Sequence, residues 1–172
     1  MQDHLTLRLA RPADLAAVDV LLARSYPRLL KPDYPPSIMV TLVPMLARAR
    51  PELLASGRYF VVEGRGRVLG AGGYSLAAPG PRGAAPGAEE PRLGHIRHLA
   101  TDPDATRQGI ARRLMAAVFA AAAGEAVVRF DCLSTRTAVP FYQAMGFAVI
   151  GPVEIPLGPG MSFPAVRMQR GA

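Results

Sequence analysis

The sequence predicts an α/β (α+β) fold in which helices flank a mixed sheet, and three observations predict it. Strand-type and helix-type apolar periods alternate along the chain. A turn and a glycine-bearing loop, Thr101-Asp102-Pro103 to Gly109, join a strand to an Ala-rich helix near the middle. Half of the 172 residues are apolar, enough for one sizeable core, so residues 1–172 read as a single domain.

The elements follow in order. Leu5 to Leu9 alternates apolar with polar residues as a first strand does. The turn Arg11-Pro12-Ala13-Asp14 starts a helix through about Ser25, with Leu15, Val18, Leu21 and Leu22 at helical spacing, and Pro27 is expected to stop it. Between Arg28 and Pro51 repeated prolines cut the pattern into short helical pieces, the clearest being Ser37 to Arg50, kinked or split at Pro44. Arg58 to Glu63 and Val68 to Leu76 are two strands joined through Gly64-Arg65-Gly66-Arg67 as a hairpin. This is no dinucleotide fingerprint, because the third glycine would fall at Leu69 and a strand follows where a helix should.

Ala77 to Pro91, rich in Pro, Gly and Ala and without periodicity, is a long loop. Leu93 to Thr101 is the fourth strand. Ile110 to about Ala123 is a helix with Ile110, Leu114, Val118 and Ala122 on one face and Gly124 as its cap. Ala126 to Leu133 is a buried strand, Thr137 to Met145 a short helix ended by Gly146, and Phe147 to Ile155 and Ser162 to Met168 are the last strands.

Charge and cysteine usage narrow the function classes. The formal charge is +7, carried by 19 arginines and the single Lys31. A positive protein attracts a phosphorylated cofactor, an acidic substrate, nucleic acid or an anionic membrane. The arginines form no block and no aromatic-rich strand alternates with them, so nucleic acid is not the expected partner. One cysteine, Cys132, excludes an internal disulfide and fits a reducing compartment. No run approaches the ~20 apolar residues of a membrane span and no signal core opens the chain. A cytoplasmic protein without membrane partners is the expectation.

The loop before the Ala-rich helix has the layout of an anion site. Free N–H groups at a helix start and the positive end of the macrodipole favour a phosphate, and Gly109 permits close backbone approach. Two stretches here resemble the GNAT superfamily of acetyl-CoA-dependent N-acyltransferases. Leu99-Ala100-Thr101-Asp102-Pro103 with Thr106-Arg107-Gln108-Gly109-Ile110-Ala111 is similar to that family's pyrophosphate loop. Ala138-Val139-Pro140-Phe141-Tyr142-Gln143-Ala144-Met145-Gly146-Phe147 is similar to its C-terminal Phe-Tyr-x-x-x-Gly-Phe signature. Thr106 stands where Gln or Arg is usual, and Thr135 where many members have Asn.

The resemblance implies a mostly antiparallel sheet splayed between the fourth and fifth strands, with acetyl-CoA in the cleft and no metal. Leu99, Ala100 and Thr101 would pair with the pantetheine arm, the amides of Arg107, Gln108, Gly109, Ile110 and Ala111 would hold the pyrophosphate, and Thr106, Arg112 and Thr135 would lie beside the cofactor. Arg113 is a further charge near the phosphates. The implied reaction is acetyl transfer to a primary amine by direct attack in a ternary complex. It needs a neutral nucleophile, an oxyanion donor and a protonated leaving thiolate. The backbone N–H near Leu99 or Ala100 is the implied oxyanion donor and Tyr142 the implied acid.

The base is sought on the fourth strand. His95 shares a face with Arg97 and Leu99 by two-residue alternation and is the first choice. His98 points to the other face unless a bulge intervenes. Glu63 is a further candidate with a plainer reading as a hairpin charge, His4 reads as a surface residue, and His95 and His98 lack neighbours at metal-ligand spacing. Cys132, Phe141 and Phe147 read as core. Tyr26 and Tyr34 fall where the family builds its acceptor wall and are candidate substrate contacts. The acceptor itself is not legible, and family members often dimerise, which leaves a homodimer open. Two alternatives stand beside the transferase: a non-catalytic acyl-CoA-binding or regulatory domain, and an RNA- or ribosome-associated protein.

Overall fold

A computed structural model describes residues 4–80 and 87–171. A seven-stranded sheet runs in the order β1-β2-β3-β4-β5-β7-β6. Its strands are β1 Thr6–Leu9, β2 Tyr59–Gly64, β3 Arg67–Ser75, β4 Leu93–Thr101, β5 Arg129–Ser134, β6 Ala148–Gly158 and β7 Met161–Arg170. All neighbours are antiparallel except β4 and β5, which pair in parallel only through Leu93, Gly94 and His95 against Arg129, Phe130 and Asp131. Past His95 the two strands part. The splay implied by the sequence is therefore present between the expected strands.

Helices cover both faces. α5, Ile110–Gly124, buries Ile110, Leu114, Met115, Val118 and Ala122 with Phe60, Val62 and Leu69. Each such aliphatic side chain contributes roughly 1.5–3 kcal/mol by leaving water. α1, Leu15–Leu29, buries Val18, Leu21 and Leu22 on the opposite face with Tyr59, Val61 and Ala71. The alternation of Tyr59 and Val61 with Phe60 and Val62 is what divides β2 between the two layers. A third cluster ties α2, Pro36–Thr41, and α3, Val43–Leu46, to the β6–β7 hairpin through Val43, Leu157 and Phe163. No helix among the described residues is long and apolar enough to cross a membrane.

Local chemistry explains where boundaries fall. Arg65 and Gly66 both take positive φ, 53° and 71°, the type I′ signature that matches strand twist. Pro27 does not stop α1, which runs on to Leu29. Its missing N–H removes one ladder bond near the end, and Leu30 N–H still closes the helix on Tyr26 C=O at 3.0 Å. The Ser37–Arg50 expectation resolves into α2 and α3, split at Leu42 just before Pro44. A turn of helix absent from the sequence reading, α4 at Pro51–Leu54, follows. Gly124 is the last residue of α5 and not a left-handed cap; Ala126 takes the positive φ, 60°, so β5 begins at Arg129 and not at Ala126. α6 is Val139–Ala144, ended by Gly146 at φ 87°. The expected loop over 77–91 includes residues 81–86, which lie outside the described residues; a single bridge, Ala77 to Glu89, closes its base.

Candidate active site

The site is built where β4 leaves the sheet ladder on both sides. Toward β3 the register jumps: Ala100 pairs Ala71 and Arg97 pairs Gly73, so His98 and Leu99 together face Gly72. This is a β-bulge, and His98 accepts its strain with a φ of 46°. A Cβ on Gly72 would stand 2.5 Å from Leu99 Cδ1 and 3.2 Å from Leu99 Cα, so any side chain there would push Leu99 aside. The hydroxyl of the buried Tyr59 donates to His98 C=O at 2.9 Å and pins the bulge from the α1 side. Toward β5, backbone groups beyond His95 have no strand partner. They form an unpaired strand edge of the kind an extended ligand can join.

Two cavities open at this fork. The larger, about 770 Å3, has Leu99, Ala100 and Thr101 on one wall and Thr106, Arg107, Gly109, Ile110, Ala111 and Arg112 at one end. Ser25, Tyr26, Thr135, Thr137, Ala138 and Phe141 face them. The volume falls within the ~300–1,000 Å3 of ligand clefts. The smaller, about 140 Å3, lies on the α2–α3 side, and Tyr26 and Thr135 line both.

The loop end is fitted to phosphate. Gly109 sits at φ 76° with nothing within 4 Å of where a Cβ would be. The first helical bond of α5 is donated by Arg113 to Gly109, which leaves the N–H groups of Ile110, Ala111 and Arg112 without helical partners. Buried Asp102 fixes the preceding turn by accepting from Asp104 N–H at 2.9 Å and from Arg24 Nε of α1 at 3.2 Å. Thr137 Oγ1 is buried beside the cleft with no hydrogen-bond partner among the described residues. These features fit the pyrophosphate and amide groups of coenzyme A.

Individual candidates divide clearly. Gln108 is exposed and absent from the cleft wall, and Arg113 turns away to Leu5 C=O at 3.1 Å. Thr135 reaches both cavities although its hydroxyl already accepts from Ala138 N–H at 3.3 Å. Tyr26 is at the junction, its phenol pushed up to about 12 by burial. Tyr34 is on neither wall: it stacks on Phe163 and its hydroxyl spans Pro164 C=O and Arg136 N–H, so it supports the acceptor side as packing.

Tyr142 is buried, lines neither cavity, and meets the Cys132 thiol; burial, first, and that thiol raise its pKa well above the usual phenol range. Cys132 is itself pushed up to about 12 by burial, which suits a core thiol and not a nucleophile. Glu63 is occupied by Arg8, and His4 is exposed.

The bulge reverses the order of the histidines. His98 stands on the wall of the smaller cavity, whereas His95 is buried outside both walls. His95 Nδ1 is 3.8 Å from Asp131 Oδ2, and its Nε2 has no hydrogen-bond partner among the described residues. Burial lowers its pKa from the ordinary imidazole value against the pull of Asp131, and Arg97 adds to the lowering. Arg50, Arg97 and Tyr59 were invisible as site residues, since nothing in their local sequence marks the bulge. Among the described residues no cluster could hold a metal ion.

A cleft at a splayed β4–β5 edge with a helix-start phosphate cradle is the arrangement implied above by the resemblance to coenzyme A-dependent acyltransferases. The family model for the acetyltransferase (GNAT) domain matches residues 55–149, and the chain belongs to that family. The PaiA N-acetyltransferase of Thermoplasma acidophilum in complex with coenzyme A has the same fold (TM-score 0.72, 12% identity, 98% of this chain and 99% of that one). So does a GCN5-related N-acetyltransferase of Rhodopseudomonas palustris (TM-score 0.74, 16%, 100% and 97%). The ribosomal-protein-S18-alanine N-acetyltransferase of Escherichia coli follows at TM-score 0.63, 16% identity and 98% and 94% coverage. No curated protein matches the chain in sequence.

Proposed function

We propose that the protein transfers the acetyl group of acetyl-CoA to a primary amine by direct attack in a ternary complex. The observation that carries this is the meeting of the two cavities at Tyr26 and Thr135, where the β4 edge is unpaired. A thioester laid along Leu99 to Thr101 and an amine entering from the smaller cavity converge there. Bound acetyl-CoA supplies an activated acetyl carbon.

The chain supplies the rest. Leu99 N–H donates to the developing oxyanion. A β4 histidine accepts the amine proton: His98 stands on the cavity wall, and His95, buried outside both walls, would be reached only through water. As the nitrogen–carbon bond forms and the carbon–sulfur bond breaks, the departing thiolate takes up a proton at the open cleft; Tyr142, the acid implied by the resemblance, would have to turn its hydroxyl from Cys132 to supply it. Holding both reactants at one fork is the main contribution, since orientation alone supplies ~7–11 kcal/mol in favourable cases.

One observation favours a second reading, an acyl-CoA-binding domain without turnover: the Tyr142 hydroxyl faces Cys132 and neither cavity. Thermal unfolding with saturating acetyl-CoA, followed by an amine panel read by release of coenzyme A, separates them. At ~100 times Kd the ligand adds ~2.7 kcal/mol, several degrees in Tm. A shift with coenzyme A release supports transfer. A shift without release for any amine leaves the binding domain, and no shift removes both.

A further inference from the structure

The smaller cavity carries charge that acetyl transfer by itself does not require. Arg50 and Arg97 both line it, with His98 and Thr135 as polar neighbours and Met45, Leu133, Ile155 and Phe163 as apolar wall. Arg50 has Glu52 at 3.5 Å. Arg97, half-buried on β4, donates from Nη1 to Ser75 Oγ at 3.0 Å and has no carboxylate within 4.0 Å among the described residues. Its Nε and Nη2 donors likewise have no hydrogen-bond partner among those residues. Burial, first, and the Arg50 charge lower the pKa of Arg97, and Glu52 and Tyr59 act the other way.

A half-buried guanidinium on a cavity wall, with one neutral acceptor and two donors left open to that cavity, is a ready partner for an anion. An acceptor with a second ammonium would be repelled by the same pair. A carboxylate fits, because the two remaining faces of a guanidinium fork match its two oxygens, and apolar walls accept the body that joins it to the amine. The cavity, about 140 Å3, is smaller than the ~300–1,000 Å3 of sites for drug-sized ligands, which favours a small body.

We propose that the acceptor is a small aminocarboxylic acid with an apolar body, its carboxylate held by Arg97 with Arg50 adding charge and its amine directed to the fork at Tyr26 and Thr135. The proposal rests on the transferase reading and names the substrate class of that site. Arg97 is then a specificity-determining residue.

The test compares acetylated products, whose amine no longer ionises, so that the carboxylate alone differs. N-acetyl-leucine and N-acetyl-leucinamide are titrated calorimetrically into the coenzyme A-loaded protein, and the same is done for the methionine and phenylalanine pairs. At least one acid is expected to bind tenfold or more tighter than its amide. Arg97→Gln abolishes that preference, Arg97→Lys keeps part of it, and both retain the wild-type Tm shift with acetyl-CoA, which shows that they fold. Amides that bind as tightly as the acids, with the acetyl-CoA shift intact, overturn the carboxylate site and leave transfer standing. A wild-type protein with no acetyl-CoA shift loses the transferase reading and the proposal together.

Discussion

The two histidines of β4 show how one residue's backbone angle redistributes function. In a regular strand His95 and Arg97 would share a face and His98 would turn away. The bulge opposite Gly72 brings His98 to the wall of the smaller cavity instead and leaves His95 buried beside Asp131. Their roles separate by pH. His95 titrates below its ordinary 6.5, because burial and Arg97 outweigh Asp131. An acid limb in kcat/KM with its midpoint below 6.5 is therefore expected, and His95→Gln removes it. A limb that survives His95→Gln and disappears in His98→Gln moves the base to the wall residue. Glu90 and Arg167 also act on His95, in opposite directions, so the reference profile is best taken at constant ionic strength.

At the scale of elements, α5 joins the phosphate cradle at one end to an ion-pair anchor at the other. Gly109→Ala is expected to cost about 1–2 kcal/mol for the left-handed backbone alone, since no atom obstructs the new methyl group. The same methyl projects into the cleft, so KM for acetyl-CoA rises at least tenfold while the KM for the amine changes little; steady-state kinetics check this. At the far end Glu125 accepts from Arg58 and from Tyr74, at 2.7 and 2.5 Å, and these bonds hold its carboxyl at about 2.

A carboxylate depressed in the folded state stabilises above its unfolded pKa and loses that contribution as pH falls through the folded one. Glu125 is one-third exposed, and after screening ~1–2 kcal/mol should fade between about pH 5 and pH 2. Urea unfolding of wild type and Glu125→Gln at pH 7 and pH 2.5 checks it: the difference in midpoint is expected to shrink at the lower pH.

These elements were legible to unequal degrees. α5 announced itself through its apolar stripe, and β4 through flanking turns, because both depend on short-range pattern. The pyrophosphate loop was readable for the same reason: its donors are backbone groups next to Gly109. The continuation of α1 past Pro27 was not, since it depends on packing at Leu30. Nor were Arg97 and His98 placeable, because the bulge that aims them is fixed by Gly72 and Tyr59, distant in sequence.

For the molecule as a whole, the two halves of the sheet are joined through three parallel pairs at Leu93 to His95. Everything past that joint on the β5-facing edge of β4 is a main chain with its partner strand missing. A ligand whose own amides lie along Leu99 to Thr101 would act as that strand. Its arrival should therefore be visible in isotope exchange before any chemistry takes place. Amides of residues 99–101 and 110–112 are expected to slow in deuterium exchange on addition of acetyl-CoA, while Gly94 and His95, already in the ladder, keep their rates. Uniform slowing across β4 would count against strand-like docking. The three-pair joint thus makes the sheet a fork whose tines are held together by the helix-covered cores and not by ladder bonds, and a ligand in the cleft would add main-chain bonds where the strands part.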